Sequence, residues 1–449
     1  MSGAQEQGNI KDYNVILLTI DALRADHLGC YGYKRNTSPN IDKFAANGVL
    51  FENTVAQIPK TGPSVSSIMT SQYMQSAGVY RNGEKLSRKK KTIAERLFDR
   101  SYFTAAFLTN ANLIYGSGHE QGFVLFNNYH TAPAEKVLEG AVDWLEGNRF
   151  KKFFLWIHLL DPHGPYTPPK KYRSMFVDDP FYNGTKTAAT EYKTGSGNNS
   201  EYILGAIPKY QLINGINKVD YYIAQYDSEI FYMDEALRSL FETIENLGLQ
   251  KNSIIIIGAD HGESMGEHDY YFEHGMFVYQ GNVNIPLIIK YPGGPQGKRI
   301  PQIVQNIDIV PTLLDVLGIN EREKWWKKIF SRQDRIEGKS LMPLIKGETR
   351  EENFAVSETP YEYDDHKSVM VQKGSWKFIM NSDKTDELYN LAEDPDEKNN
   401  QAEKHPELVK ELRGHIRGIP KAAKRKGPEE NIQFGEKEKE ELKALGYLQ

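Results

Sequence analysis

The chain reads as an α/β protein: a large, doubly wound, mostly parallel sheet flanked by helices, with a small C-terminal antiparallel sheet subdomain. Three observations predict it. Short β-branched apolar runs recur over the first two thirds of the chain, helical patterns separate them, and the texture changes near Asn353.

The first run, Asn14–Ile20 (NVILLTI), is apolar almost throughout, as suits a strand buried on both faces of a parallel sheet. Similar runs occupy 102–108, Phe153–Leu159, 253–258 and 285–290. Between them, Ser38-Pro39 supplies an N-cap and a proline at the first helical position, predicting a helix to about Asn47. Thr92-x-x-Glu95 is a capping box opening another. Apolar spacing predicts helices over 134–147 and 223–247.

Residues 171–221 break this rhythm, being rich in Tyr, Asn, Gly, Ser and Thr. The segment reads equally as a substrate lid or as a surface loop. Its sequons at Asn183 and Asn198 read as accidental. After Asn353, short strand candidates at 354–357, 368–372 and 376–380 precede a helix near Pro406–Ile416. Beyond Gly418 a charged tail carries a basic run, 421–426, read as solvated, and then a helical stretch, 436–445. The expected division is a catalytic domain over 1–350 and a small α+β subdomain with its tail over 351–449.

With 449 residues, 39% of them hydrophobic and 26% charged, the chain can bury a large core. A formal net charge of −5 gives no general attraction to nucleic acid or an acidic membrane. A single cysteine, Cys30, excludes an intrachain disulfide. No basic-then-apolar leader is visible, and no run reaches the roughly 18 apolar residues that span a bilayer. A cytoplasmic protein is the expectation; the sequence leaves its oligomeric state open.

The chemistry-bearing residues gather after predicted strands. Asp21 follows NVILLTI directly, at the strand edge where open α/β sheets collect ligands. Gly258-Ala259-Asp260-His261-Gly262-Glu263 ends another run, and Asp and His are usual divalent-metal ligands. His158-Leu159-Leu160-Asp161-Pro162-His163 ends a third, and His268 and His274 lie further on. Lys60-Thr61-Gly62-Pro63-Ser64 forms a turn into a helix, where a hydroxyl meets a positive backbone field that favours anions. Each feature has a plain structural explanation alone, such as a turn aspartate, a capping threonine or a core histidine. Four strand ends so equipped are hard to explain by packing.

Together these segments resemble the sulfatase branch of the alkaline-phosphatase superfamily. The resemblance rests on Asp21-x-x-Arg24-x-Asp26-His27, Thr61-x-Pro-Ser, Asp-Pro-His163-x-Pro-Tyr and Asp260-His261-Gly-Glu. Supporting segments follow at Ile285, Asp308 and Glu387, in the family's order. The resemblance implies a metal at the carboxyl edge of the large sheet. The sequence departs from a sulfatase in several places, among them Asp260-His261 where the family has an Asp-Asn pair. Thr61 stands where the family has the Cys or Ser converted to formylglycine, and oxidising a threonine would yield a ketone instead of the aldehyde. Val65 replaces the following arginine, and Ala22 replaces a second aspartate.

A threonine nucleophile is similar to the superfamily's phosphodiesterases and phospho-alcohol transferases. The resemblance implies one core divalent metal bound by Asp21, Thr61, Asp260 and His261. An imidazole ligand favours manganese or zinc over calcium. A weaker second site would draw on His163, His268 or His274. In the expected reaction Thr61 attacks phosphorus and forms a phospho-threonine that water resolves. His163 and His274 are the candidate acids or oxygen-binding groups, His274 standing where sulfatases tend to have lysine. Arg24 is a candidate phosphate clamp, with a salt bridge to Asp26 or another local acid as its alternative. Lys60 is a lesser substrate contact, and Ser64 a helix-turn hydrogen bonder. The leading expectation is therefore a phosphomonoester or phosphodiester hydrolase acting on a small-molecule, glycan or lipid-headgroup ester. The alternatives are a sulfatase working without formylglycine, a phospho-alcohol transferase to a glycan or lipid, and a non-catalytic binding protein.

Overall fold

A computed structural model describes residues 11–179, 184–190, 204–213, 215–319, 335–350, 353–360, 367–416, 418 and 431–446. Asn183, Asn198 and the basic run 421–426 lie outside the described residues.

The main sheet has eight strands: β1 (Asn14–Ile20), β2 (Val49–Val55), β3 (Phe103–Leu108), β4 (Leu125–Asn128), β5 (Phe153–Leu159), β6 (Ser253–Ala259), β9 (Asn284–Lys290) and β10 (Lys298–Gln305). Between β6 and β9 a small hairpin pairs β7 (Ser264–Met265) with β8 (Tyr271–Glu273). The main sheet runs in the order β10-β2-β9-β6-β1-β5-β3-β4. Its centre, β6-β1-β5-β3, is parallel throughout, so four adjacent carboxyl ends share one edge. The apolar run at β9 reads from sequence like the parallel strands, yet it pairs antiparallel with both β2 and β6. Two reversals bring β2 back parallel to β6, so its carboxyl end reaches the same edge. A strand buried on both faces looks alike in either direction, so hydrophobicity cannot report orientation.

The two faces of the sheet bury separate apolar layers. Ile16, Leu18 and Ile20 join one, packed under the helices Ala134–Asn148 and Val219–Asn246. Val15 and Leu17 join the other, with the helices Thr61–Thr70 and Ile309–Val316. This alternation is the period-2 geometry of a strand covered on both sides.

Local signals mostly place the helices. The Thr92–Glu95 capping box is present in full: Thr92 accepts the Glu95 amide, and Glu95 accepts the Thr92 amide at 2.9 Å. The Pro39 helix ends at Ala45, short of the expected Asn47, and the Ser38 hydroxyl donates to Asp42 instead of capping.

The C-terminal sheet is antiparallel, in the order β11 (Phe354–Glu358), β12 (Ser368–Lys373), β13 (Trp376–Asn381), β14 (Glu387–Asn390). The sequence reading found three of these strands and missed β14, which is only four residues long. The helix Pro406–Ile416 covers one face through Leu412. Described parts of the 171–221 insertion lie on the β7–β8 hairpin. Leu204 bridges Tyr270, and Gln211 donates to the Phe272 carbonyl at 3.1 Å.

Candidate metal centre and nucleophile

Register places the acidic residues. Ile20 pairs with Leu159 on one side and Ala259 on the other, so Asp21 and Asp260 leave neighbouring strands at one level. The Asp21 amide donates to Leu159 O at 2.9 Å, and the Asp260 amide to Ile20 O at 3.3 Å. Ala22, next in the chain, takes a positive φ of 53°. Tyr226 braces that turn by donating to Ala22 O at 2.7 Å and accepting the Arg24 amide at 3.0 Å. After Asp260, Gly262 passes so close to Gly281 O that a Cβ would lie 2.1 Å away, which explains glycine there.

Thr61 is the first residue of its helix, and its side chain is buried. Its hydroxyl lies 3.5 Å from Asp21 Oδ2 and 3.4 Å from His261 Nε2. Ser64, one turn on, donates to Asp260 O at 2.6 Å and accepts from Asn306 at 3.1 Å. It ties the helix to the metal-side loop, as a helix-turn hydrogen bonder should.

Among the described residues, Asp21, Asp260 and His261 offer ligand atoms all within 4.8 Å of one another. All three are fully buried. Asp21 Oδ1 and Asp260 Oδ2 have no hydrogen-bond partner, an arrangement that is costly for buried oxygens. Burial pushes the Asp260 carboxyl well up, and the Asp21 charge pushes it further. Burial also opposes ionisation of Asp21, but the nearby imidazoles of His158, His163 and His261 outweigh it and hold Asp21 below its usual range. Two crowded carboxyls, an imidazole depressed to about 4 chiefly by burial, and a hydroxyl at the limit of hydrogen bonding all fit a shared divalent cation.

Two further histidines join them. The His274 ring lies 4.3 Å from His261 and 5.0 Å from His163, centre to centre. Glu263 orients His274, with Oε1 at 3.0 Å from Nδ1, and accepts Tyr166 OH at 3.1 Å. His163 Nδ1 faces Gly164 O at 2.7 Å. Burial first, then neighbouring positive groups including Lys60, depress both imidazoles. Both imidazoles are thereby pushed toward the neutral form.

Two expected residues point elsewhere. Arg24 binds Asp26 through two bonds, at 2.9 and 2.7 Å, and Glu267 at 2.7 Å. Its third partner is Glu263 O at 3.0 Å, so the salt-bridge alternative holds and the phosphate clamp does not. His268 stacks on Tyr279 at 3.5 Å instead of joining the histidine cluster.

Sequence reasoning assigned no role to two neighbours. Asn110, after β3, donates to Asp21 Oδ2 at 2.6 Å. His158, on β5, presents an unpartnered Nε2 at 3.7 Å from the same oxygen, while Nδ1 meets Thr19 at 2.8 Å. Asn110 also follows a carboxyl strand end, a signal that could have flagged it.

Residues 13–319 match the sulfatase family. The chain belongs to it. Residues 266–421 also match the C-terminal part of N-sulphoglucosamine sulphohydrolase. An arylsulfatase of Clostridium perfringens is 25% identical, over 90% of this chain and 95% of its own length. Arylsulfatase K of Rattus norvegicus is 24% identical over 90% of this chain and 77% of its own. An N-acetylglucosamine-6-O-sulfatase of Bacteroides thetaiotaomicron is 22% identical over 86% and 82%. In fold, the phosphonate monoester hydrolase of Agrobacterium radiobacter superposes with a TM-score of 0.72 at 19% identity, over 90% of this chain and 95% of that one. This sulfatase-family hydrolase thus shares its overall fold with that structure. Among the described residues no helix is long and apolar enough to cross a membrane.

Proposed function

We propose that this chain is a metal-dependent hydrolase of sulfate esters that attacks with the Thr61 hydroxyl. The observation that carries the reading is the buried Thr61 hydroxyl, shared between Asp21 and His261 at the start of a helix. The names of the curated relatives favour sulfate over the phosphate ester that leads the sequence reading. A sugar sulfate is the substrate class one of those names supports.

Asp21, Asp260, His261 and Thr61 would hold the cation, with manganese or zinc favoured by the imidazole. Such a cation supplies a lowered hydroxyl pKa and neutralises ester oxygens. Thr61 oxygen forms a bond to sulfur as the bond to the leaving oxygen breaks, and the hydroxyl proton ends on that oxygen, releasing the alcohol. The helix amides and Lys60 favour the anionic group arriving there. Neutral His274, oriented by Glu263, and His163 bind the transferring oxygens. Water then cuts the sulfo-threonine and restores the hydroxyl. The described residues Leu204 and Gln211 of the 171–221 insertion meet the β7–β8 hairpin at Tyr270 and Phe272, which favours the lid over the plain surface loop.

A phosphate ester is the second reading, favoured by Thr61 itself. A plain hydroxyl yields an ester intermediate that water must open at the central atom, which is ordinary phosphothreonine chemistry. Matched nitrophenyl sulfate, phosphate monoester, phosphate diester and phosphonate monoester, assayed with manganese or zinc, separate the two. Sulfate should turn over fastest, with a loss of at least about 1,000-fold in Thr61→Ala. Turnover of phosphorus esters alone would install the second reading, and full activity in Thr61→Ala would remove the nucleophile.

A further inference from the structure

Both family matches end by residue 421, yet residues 431–446 return to the catalytic edge of the sheet. They touch it at two places. At the first, Asn431 bridges Glu84, and the Ile432 amide donates to Gly83 O at 2.7 Å. Adjacent Asn82 accepts the Gly62 amide at 2.8 Å, at the start of the helix that carries Thr61. At the second, the helix Glu436–Ala444 packs on the short turn Ala111–Leu113. There Glu441 Oε2 lies 2.9 Å from His130 Nδ1.

From His130 a continuous chain of bonds leads to the metal cluster. His130 O accepts the Asn110 amide at 2.8 Å. The His130 amide donates to Asn128 Oδ1 at 2.6 Å, and Asn128 Nδ2 donates to both Asn110 O and Leu113 O at 2.9 Å. Asn110 Oδ1 accepts the Asn112 amide at 2.8 Å, which leaves Nδ2 to donate to Asp21 Oδ2 at 2.6 Å. Asn110 and His130 both have positive φ, 126° and 59°, although neither is glycine. Such backbone persists only where its surroundings over-determine it. Glu441, which meets His130 through Oε2 and Lys437 through Oε1 at 3.7 Å and is only 14% exposed, is the part of those surroundings that arrives from the far end of the chain.

We propose that residues 431–446 brace the catalytic centre, with Glu441 a positioning residue that fixes Asp21 through His130 and Asn110. The proposal rests on Asp21 being a metal ligand. Groups that orient metal-binding carboxylates typically change affinity about 10- to 100-fold when removed. Glu441 acts through two intermediaries, so its effect should be smaller.

The test is calorimetric titration of manganese into the full chain, as wild type, Glu441→Ala, Glu441→Gln, Asn110→Ala and Asp21→Ala, with melting of each metal-free protein alongside. Glu441→Ala should bind manganese about 3- to 10-fold more weakly, and Asn110→Ala about 10-fold or more. The metal-free melting temperature of Glu441→Ala should stay within about 2 °C of wild type. Glu441→Gln keeps an acceptor for His130 and should restore affinity to within about twofold. A lowered kcat at unchanged KM in Glu441→Ala would support the same conclusion. Unchanged affinity in Glu441→Ala, with binding abolished in Asp21→Ala, overturns the brace alone. Affinity lost equally in Glu441→Ala and Glu441→Gln, together with a lower melting temperature, makes the tail merely structural and also overturns it. Wild-type affinity in Asp21→Ala overturns the metal centre and the brace with it.

Discussion

At the scale of single residues, burial does more to set chemistry here than residue type. Glu358 ends β11 as a buried carboxyl, pushed up to about 7 by burial, with Gln75 as its hydrogen-bond donor. Its folded-state proton is held more tightly than the unfolded chain's, which is released near 4.5. As pH rises from about 4.5 to about 7 the unfolded state therefore binds fewer protons, and stability falls by something on the order of 2–3 kcal/mol before levelling off. Urea melts across that window should show a steeper fall in wild type than in Glu358→Gln, where only the other raised carboxyls, such as Asp161 and Asp234, still contribute. An identical slope in the variant would refute the assignment. The same reasoning explains why His163 and His274 could be placed from sequence but not characterised. Their motifs are local, whereas the desolvation that depresses them comes from residues far along the chain. Arg24 shows the converse. Asp26, two residues away, was the visible alternative partner, and it prevailed with Glu267, which only folding brings near.

At the scale of elements, the helix Thr61–Thr70 matters most, because it positions the Thr61 hydroxyl beside Asp21 and His261. All ten of its residues are buried, so local amphipathicity says little about which face meets the sheet. Ser64 fixes its orientation through Asp260 O and Asn306. Ser64→Ala should cost about 1–2 kcal/mol, read by denaturant unfolding, because it leaves the Asn306 amide short of a buried acceptor. Turnover should fall by less than in Thr61→Ala, since the nucleophile remains. A variant as stable and active as wild type would show that the helix is held by packing alone. Helices with explicit start signals were legible, as the intact Thr92–Glu95 box shows. Short strands such as β4 and β14, four residues each, were not. A run that brief carries too little periodicity to stand out from a loop.

At the scale of the molecule, the C-terminal sheet is locked on through polar contacts as well as apolar ones. Lys377, fully buried on β13, lies 2.7 Å from Glu397, which also accepts the Gln280 amide of the main domain at 2.6 Å. Lys377→Ala would strand a buried carboxyl and should cost about 3–5 kcal/mol, while Lys377→Met with Glu397→Gln should recover most of it. Equal losses in the single and double variants would mean that the site matters for shape and not for charge. The sequence by itself determined the fold class, the strand ends bearing Asp21, Asp260 and His261, and the turn that puts Thr61 at a helix start. All of these are written in contiguous stretches whose hydrophobic period and turn residues act locally. Only the tertiary structure decided that β9 runs antiparallel, that Asn110 and His158 converge on Asp21, that Arg24 serves its neighbours, and that a tail some 330 residues downstream of Asn110 returns to hold it. Strand order and long-range pairing are set by the packing of whole faces, and residues brought together that way leave no pattern at any fixed spacing along the chain.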